Sequence, residues 1–88
     1  MRILYSKQSL KFLLQHDEKY VSRVLATVKD SLAAKPNLEY IPLPKVNDNR
    51  RAISVVPYYV VVQKKRHNNE TTYYVTNILD AEDLEYYD

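Results

Sequence analysis

The chain is predicted to fold as an α+β domain, on three observations. Residues 50–79, RRAISVVPYYVVVQKKRHNNETTYYVTNIL, are dominated by β-branched and aromatic side chains, interrupted at Pro57 and by a polar stretch. That is the make-up of consecutive strands in a sheet covered on at least one face. Ahead of them, between Ser6 and Ala34, leucine and valine recur at helical spacing. Helices grouped early and strands grouped late indicate α+β, with a mainly antiparallel sheet.

Met1 to Tyr5 is the first strand, with Ile3 and Tyr5 on one face and Leu4 on the other. Ser6 suits the N-cap of a helix in which Leu10, Leu13 and Leu14 form one apolar stripe, with Phe12 nearly opposite. His16-Asp17 breaks the pattern. Asp17 then caps a second helix, and Glu18 complements the positive end of its dipole. Val21, Val24, Leu25, Val28 and Leu32 keep helical spacing up to Ala33-Ala34, where Lys35 and Pro36 make a stop. So short a break predicts an antiparallel helical hairpin. Leu38 to Leu43 is an irregular edge strand, because Pro42 and Pro44 cannot donate to a ladder. After a polar connection over Lys45 to Asn49 come strands over Arg51 to Val56, Tyr58 to Lys65 and Thr71 to Leu79. Lys65 to Glu70 reads as the hairpin tip, and Asp80 to Asp88 as an acidic helical turn or loose end. The order is β-α-α-β-β-β-β in a single domain spanning residues 1–88.

Composition narrows the function. The 88 residues make a small core, since chains of this size bury only about 60% of their unfolded surface. With no cysteine, neither a disulfide framework nor a thiolate metal site can form. With no glycine, a phosphate-cradling P-loop and a dinucleotide fingerprint are excluded. Positive backbone φ must then fall to Asn47-Asp48-Asn49 and Asn68-Asn69. No cofactor is expected. His16 and His67 lack metal-ligand spacing, so no metal is expected either. Val60 to Val62 is too short an apolar run to span a bilayer, and a cytoplasmic protein is expected. The net charge of +2 conceals an asymmetry: residues 1–66 carry +8 and residues 67–88 carry −6. A basic body with an acidic end suits contact with a polyanion through the body.

Several stretches in this order resemble the RelE/ParE toxin superfamily of bacterial toxin–antitoxin systems. They are the opening strand, the helical pair closing in Leu32 to Pro36, the basic pair Arg50-Arg51, the strand Tyr58-Tyr59-Val60-Val61-Val62, and Ile78-Leu79-Asp80-Ala81-Glu82-Asp83. The resemblance implies an α+β toxin with a cognate antitoxin as partner. For a RelE-like member it implies mRNA cleavage on the ribosome, and for a ParE-like member inhibition of DNA gyrase without catalysis. A member that acts only by protein interaction is the third possibility. This chain has Tyr59 where the family's strand usually carries Arg, and Asp80, Ala81 and Glu82 where basic residues commonly follow the last strand.

Cutting RNA without a metal requires activating a 2′-hydroxyl, neutralising the developing phosphate charge and protonating the leaving oxygen. Arg50 and Arg51 are the candidates to meet the phosphate, although adjacent strand residues face opposite ways. Tyr86 or Tyr87 is the candidate proton donor or stacking platform. Lys45, Tyr59, Lys64, Arg66 and His67 complete the expected polyanion-binding set. The adjacent pairs Tyr58-Tyr59 and Tyr73-Tyr74 must each send one ring to each face of the sheet.

Overall fold

The computed structural model describes residues 2–34, 41–42 and 50–85. Its elements run β1 (Arg2–Tyr5), α1 (Lys7–Leu14), α2 (Glu18–Ala34), β2 (Ile41–Pro42), β3 (Arg50–Val55), β4 (Tyr58–His67), β5 (Glu70–Leu79) and α3 (Ala81–Glu85). The strands form one sheet in the order β1-β5-β4-β3-β2. β1 pairs with β5 in parallel, and the other pairings are antiparallel. β2 takes an edge, as Pro42 requires, and the rest of the segment expected over Leu38 to Leu43, with Pro44, lies outside the described residues. The expected turn at Asn47-Asp48-Asn49 and the helix stop at Lys35 and Pro36 lie outside the described residues.

The hairpin between β4 and β5 is tighter than expected. Only Asn68 and Asn69 form the turn, with φ of 50° and 66°, so the two asparagines do supply the left-handed backbone that glycine usually provides. The strand expected to end at Lys65 continues through Arg66 and His67, both expected in the tip, and His67 pairs with Glu70. At the opposite end Val56 and Pro57, joined by a cis peptide bond, turn β3 into β4. A bulge opposite Val61 and Val62 leaves Thr76 as an extra residue on β5. Its hydroxyl lies 3.4 Å from the Val61 carbonyl, to which it donates. The bulge allows both Val75 and Ile78 to point into the core, which strict alternation would forbid.

Both long helices lie on one face of the sheet, α1 against β5 and α2 against β3. Val24, Val28 and Leu32 of α2 and Leu13 of α1 meet Ile53, Val55, Val60, Val62, Tyr73, Val75 and Ile78. Each such side chain contributes about 1.5–3 kcal/mol on burial. Asp17 caps α2 as expected, its Oδ1 accepting from the Tyr20 amide at 2.8 Å.

The apolar stripe expected on α1 needs correction. Leu13 is buried, but Leu10 is 47% and Leu14 85% exposed. Two serines set the rotation. Ser6 caps the helix by accepting from the Ser9 amide at 3.1 Å, and its hydroxyl donates to the Thr76 carbonyl at 2.7 Å. The buried Ser9 hydroxyl points at the Ser6 and Val75 carbonyls, 2.9 and 3.3 Å away. Ser9 and Leu13 therefore face inward, Phe12 and His16 lie beside them, and Leu10 and Leu14 turn outward. Leu25, placed in the stripe of α2, is likewise 42% exposed.

Among the described residues no helix is long and apolar enough to cross a membrane. The rotation of α1 predicts that Leu13→Ala costs about 2–5 kcal/mol. Leu14→Ala should stay within about 0.5 kcal/mol. Urea midpoints measure both, and equal losses would mean that α1 is turned the other way.

Candidate functional site

Strand alternation gives the sheet a face covered by α1 and α2 and an opposite face that, among the described residues, is open except where α3 packs on it. On the open face the register sets side chains in transverse rows. Ser54, Tyr59 and Leu79 form the first, followed by Ala52, Val61 and Asn77. The next crosses four strands as Arg50, Gln63, Tyr74 and Leu4, and Lys65, Thr72 and Arg2 follow it. The short helix α3 closes one end. Asp80 caps it by accepting from the Asp83 amide at 2.7 Å, and Leu84 packs on Ala52 and Val61 beside Tyr59 and Leu79. Glu82, Asp83 and Glu85 thereby stand at that end.

The other end is basic. Lys64, Lys65, Arg66 and His67, with Thr72 and Tyr74, line a concavity of about 580 Å³. The Lys65 ammonium lies 5.2 Å from the centre of the Tyr74 ring, within cation–π range. The charge asymmetry of the sequence thus becomes a gradient along the strands of one sheet.

The expected site residues are only partly brought together. Arg50 shares the open face with Ala52, whereas Arg51 projects to the helix side with Ile53 and donates to the Arg50 carbonyl at 2.8 Å. The pair is therefore divided between faces, as alternation requires. Lys64 and Arg66 also project to the helix side, in register with Tyr73 and Thr71, yet they reach the basic concavity at the sheet's end. Tyr59 lies under the α3 end, eight residues from His67, which at the rise of a strand is about 27 Å. It does not belong with the basic cluster. Lys45, Tyr86 and Tyr87 lie outside the described residues.

Sequence reasoning missed Gln63, Lys65 and Tyr74 as open-face neighbours. The signal was present, because a two-residue turn at Asn68-Asn69 forces Lys65 opposite Thr72 and Gln63 opposite Tyr74. It also missed an aromatic cluster on the helix side. His16 stacks on Phe12 at 4.2 Å, while Tyr58 meets the edges or faces of Phe12, His16 and Tyr20. His16 Nδ1 sits 2.7 Å from the Phe12 carbonyl, an acceptor, so Nδ1 carries the proton and Nε2 faces the Tyr58 hydroxyl at 3.5 Å. The Tyr20 hydroxyl donates to the Val55 carbonyl at 2.7 Å, and Arg23 lies 5.1 Å from the Tyr20 ring and donates to the Val56 carbonyl. This cluster clamps the β3–β4 turn against the helices. Between the helices, Leu10, Leu13, Leu14, Val21 and Leu25 line an outward groove of about 610 Å³.

No family model and no curated protein matches the chain. Solved structures do. The RelBE2 toxin–antitoxin complex of Mycobacterium tuberculosis superposes with a TM-score of 0.71 at 11% identity, covering 90% of this chain and 95% of the other. The fold is that of the RelE/ParE toxins. A RelB–RelE antitoxin–toxin complex from Methanococcus jannaschii gives a TM-score of 0.62 at 15% identity over 97% of this chain and 99% of that one. A YoeB/ParE toxin from Agrobacterium tumefaciens gives 0.61 at 11% identity over 91% and 98%. In this RelE/ParE fold the open face carries a basic end and an acidic end, and Arg50 lies between them.

The helix-side clamp has a pH signature. Burial raises the Tyr20 phenol above its ordinary value of 10.0; Arg23 opposes that shift and Tyr58 adds to it. Burial also raises Tyr5. A raised phenol holds its proton more tightly folded than unfolded. Its contribution is complete below the ordinary tyrosine pKa and is lost as pH rises through the folded value. Unfolding midpoints measured against pH should therefore fall above about pH 10. Tyr20→Phe should flatten the fall, and an unchanged slope would remove Tyr20 as its source.

Proposed function

We propose that this chain is the toxin of a type II toxin–antitoxin pair, and that it arrests growth by cutting mRNA on the ribosome without a metal. The observation that carries the reading is the open face: a guanidinium at Arg50, in one transverse row with Gln63 and Tyr74 and beside the basic concavity, on a RelE/ParE fold. In this reading Arg50 neutralises charge developing on the scissile phosphate. Lys64, Lys65, Arg66 and His67 hold the flanking backbone, with Lys45 adding to the field. Tyr86 or Tyr87 moves the proton. Arg51, on the other side of the sheet, acts on the position of β3 rather than on the phosphate.

The partner in this reading is a cognate antitoxin, as in the complexes from Mycobacterium tuberculosis and Methanococcus jannaschii. The groove between α1 and α2, with Leu10, Leu14 and Leu25 exposed, offers an amphipathic antitoxin segment an apolar seat. The acidic α3 supports a second reading. Asp80, Glu82, Asp83 and Glu85 at the rim oppose an RNA phosphate, which favours a ParE-like inhibitor that binds gyrase without catalysis.

Purified protein added to a reconstituted translation system separates the two. Cleavage predicts shortened message, and Arg50→Ala should slow its appearance by about 10²–10³-fold. Arg51→Ala should have the smaller effect. Intact message together with lost gyrase supercoiling would transfer the assignment to the second reading.

A further inference from the structure

We infer that Tyr74 and Gln63 form a nucleobase-reading position, in which an unpaired RNA base stacks on the Tyr74 ring and presents its edge to the Gln63 carboxamide. The inference rests on the RNA-directed reading above and assigns the part of the substrate that the open face recognises.

Four tyrosines on β4 and β5 compete for such a role, and their surroundings separate them. Tyr73 is 4% exposed and belongs to the core. Tyr58 is enclosed by Phe12, His16 and Tyr20. Tyr59 packs beside Leu84 over Ala52 and Val61. Tyr74 differs: among the described residues its ring meets the Lys65 ammonium, at 5.2 Å, rather than another aromatic ring. A flexible, hydrated cation is readily displaced, so a flat ligand can take its place over the ring.

The transverse row supplies the rest of the site. Tyr74 stands between Leu4 and Gln63, and Gln63 stands between Tyr74 and Arg50. Across the sheet this orders an apolar floor, an aromatic platform, a group with both a donor and an acceptor, and a guanidinium. Two inter-strand steps separate Tyr74 from Arg50, about 10 Å, a span that one nucleotide bridges from base to backbone phosphate. Lys65, displaced from the ring, remains in the adjacent row to meet that phosphate. A row of side chains on a sheet cannot enter the narrow deep groove of an RNA duplex, so the base it reads must be unpaired. The carboxamide of Gln63 can meet the N6 donor and N7 acceptor of adenine, and a purine covers more of the Tyr74 ring than a pyrimidine does.

Fluorescence anisotropy with short labelled oligoadenylate, oligouridylate and a blunt RNA duplex tests the position in the full chain. Wild-type protein should bind oligoadenylate most tightly and the duplex least. Tyr74→Leu should weaken oligoadenylate between about 5-fold and 100-fold. Tyr74→Phe, which keeps the ring, should stay within about twofold of wild type. Gln63→Ala should narrow the gap between oligoadenylate and oligouridylate, leaving the part that stacking on Tyr74 supplies. Thermal melts of each variant check that it is folded; if Tyr74→Leu is not, the Phe and Gln63 variants and the duplex comparison decide. Single-strand binding that is unchanged in Tyr74→Leu, equal affinity for duplex, or displacement by polyglutamate as effective as by RNA would overturn the base-reading position and leave a charge-only RNA surface standing. No binding of any RNA at low salt would remove both this inference and the RNA reading beneath it.

Discussion

The register between β4 and β5 is the constraint on which the rest of the molecule depends. Two asparagines in left-handed backbone make the turn as short as a hairpin allows, so His67 must oppose Glu70 and every later pair is set by counting back. A slip of one residue would send Val60 and Val62 to solvent and Gln63 and Lys65 toward the helices. The single correction to that count is the bulge at Thr76, which turns Ile78 rather than Asn77 inward. The bulge also leaves a Thr76 carbonyl for the Ser6 hydroxyl, so the same irregularity that completes the core fastens the start of α1.

From that register the two faces acquire different work. The helix side is closed by aliphatic packing at its centre and by the His16, Tyr20 and Tyr58 cluster at the β3–β4 turn, where the Val55 and Val56 carbonyls accept from Tyr20 and Arg23. The open side is therefore free to carry polar and charged residues in its middle rows, which a core face could not do without burying unpaired groups. Among the described residues α3 covers it at one end, through Leu84 over Ala52 and Val61.

Charge sharpens this division. Basic residues gather where β4 approaches the Asn68-Asn69 turn, and acidic ones on α3 at the far end of the same strands. A polyanion laid along the face would be drawn toward the hairpin and repelled near α3, which gives it a preferred position along the strands. Arg50, Gln63 and Tyr74 fall between the two ends, so the base-reading contacts proposed for them would depend on geometry rather than on net charge.

Much of this could be read from residue order. The grouping of helical before extended patterns, the caps at Ser6 and Asp17, the asparagine turn and the opposite facing of Arg50 and Arg51 each follow from local chemistry acting over a few residues. What could not be read was anything requiring two distant segments to meet. The rotation of α1 comes from serine hydroxyls finding carbonyls on β5, some 70 positions later in the chain. That is why Leu10 and Leu14 face outward against their periodicity. Tyr59 is removed from the basic cluster by the length of a strand whose end the polar composition of Lys65 to His67 disguised. Propensity and spacing thus determine which elements exist and which residues alternate. Only the packed sheet decides which side chains become neighbours, because a row across four strands is a property of register and not of any one strand.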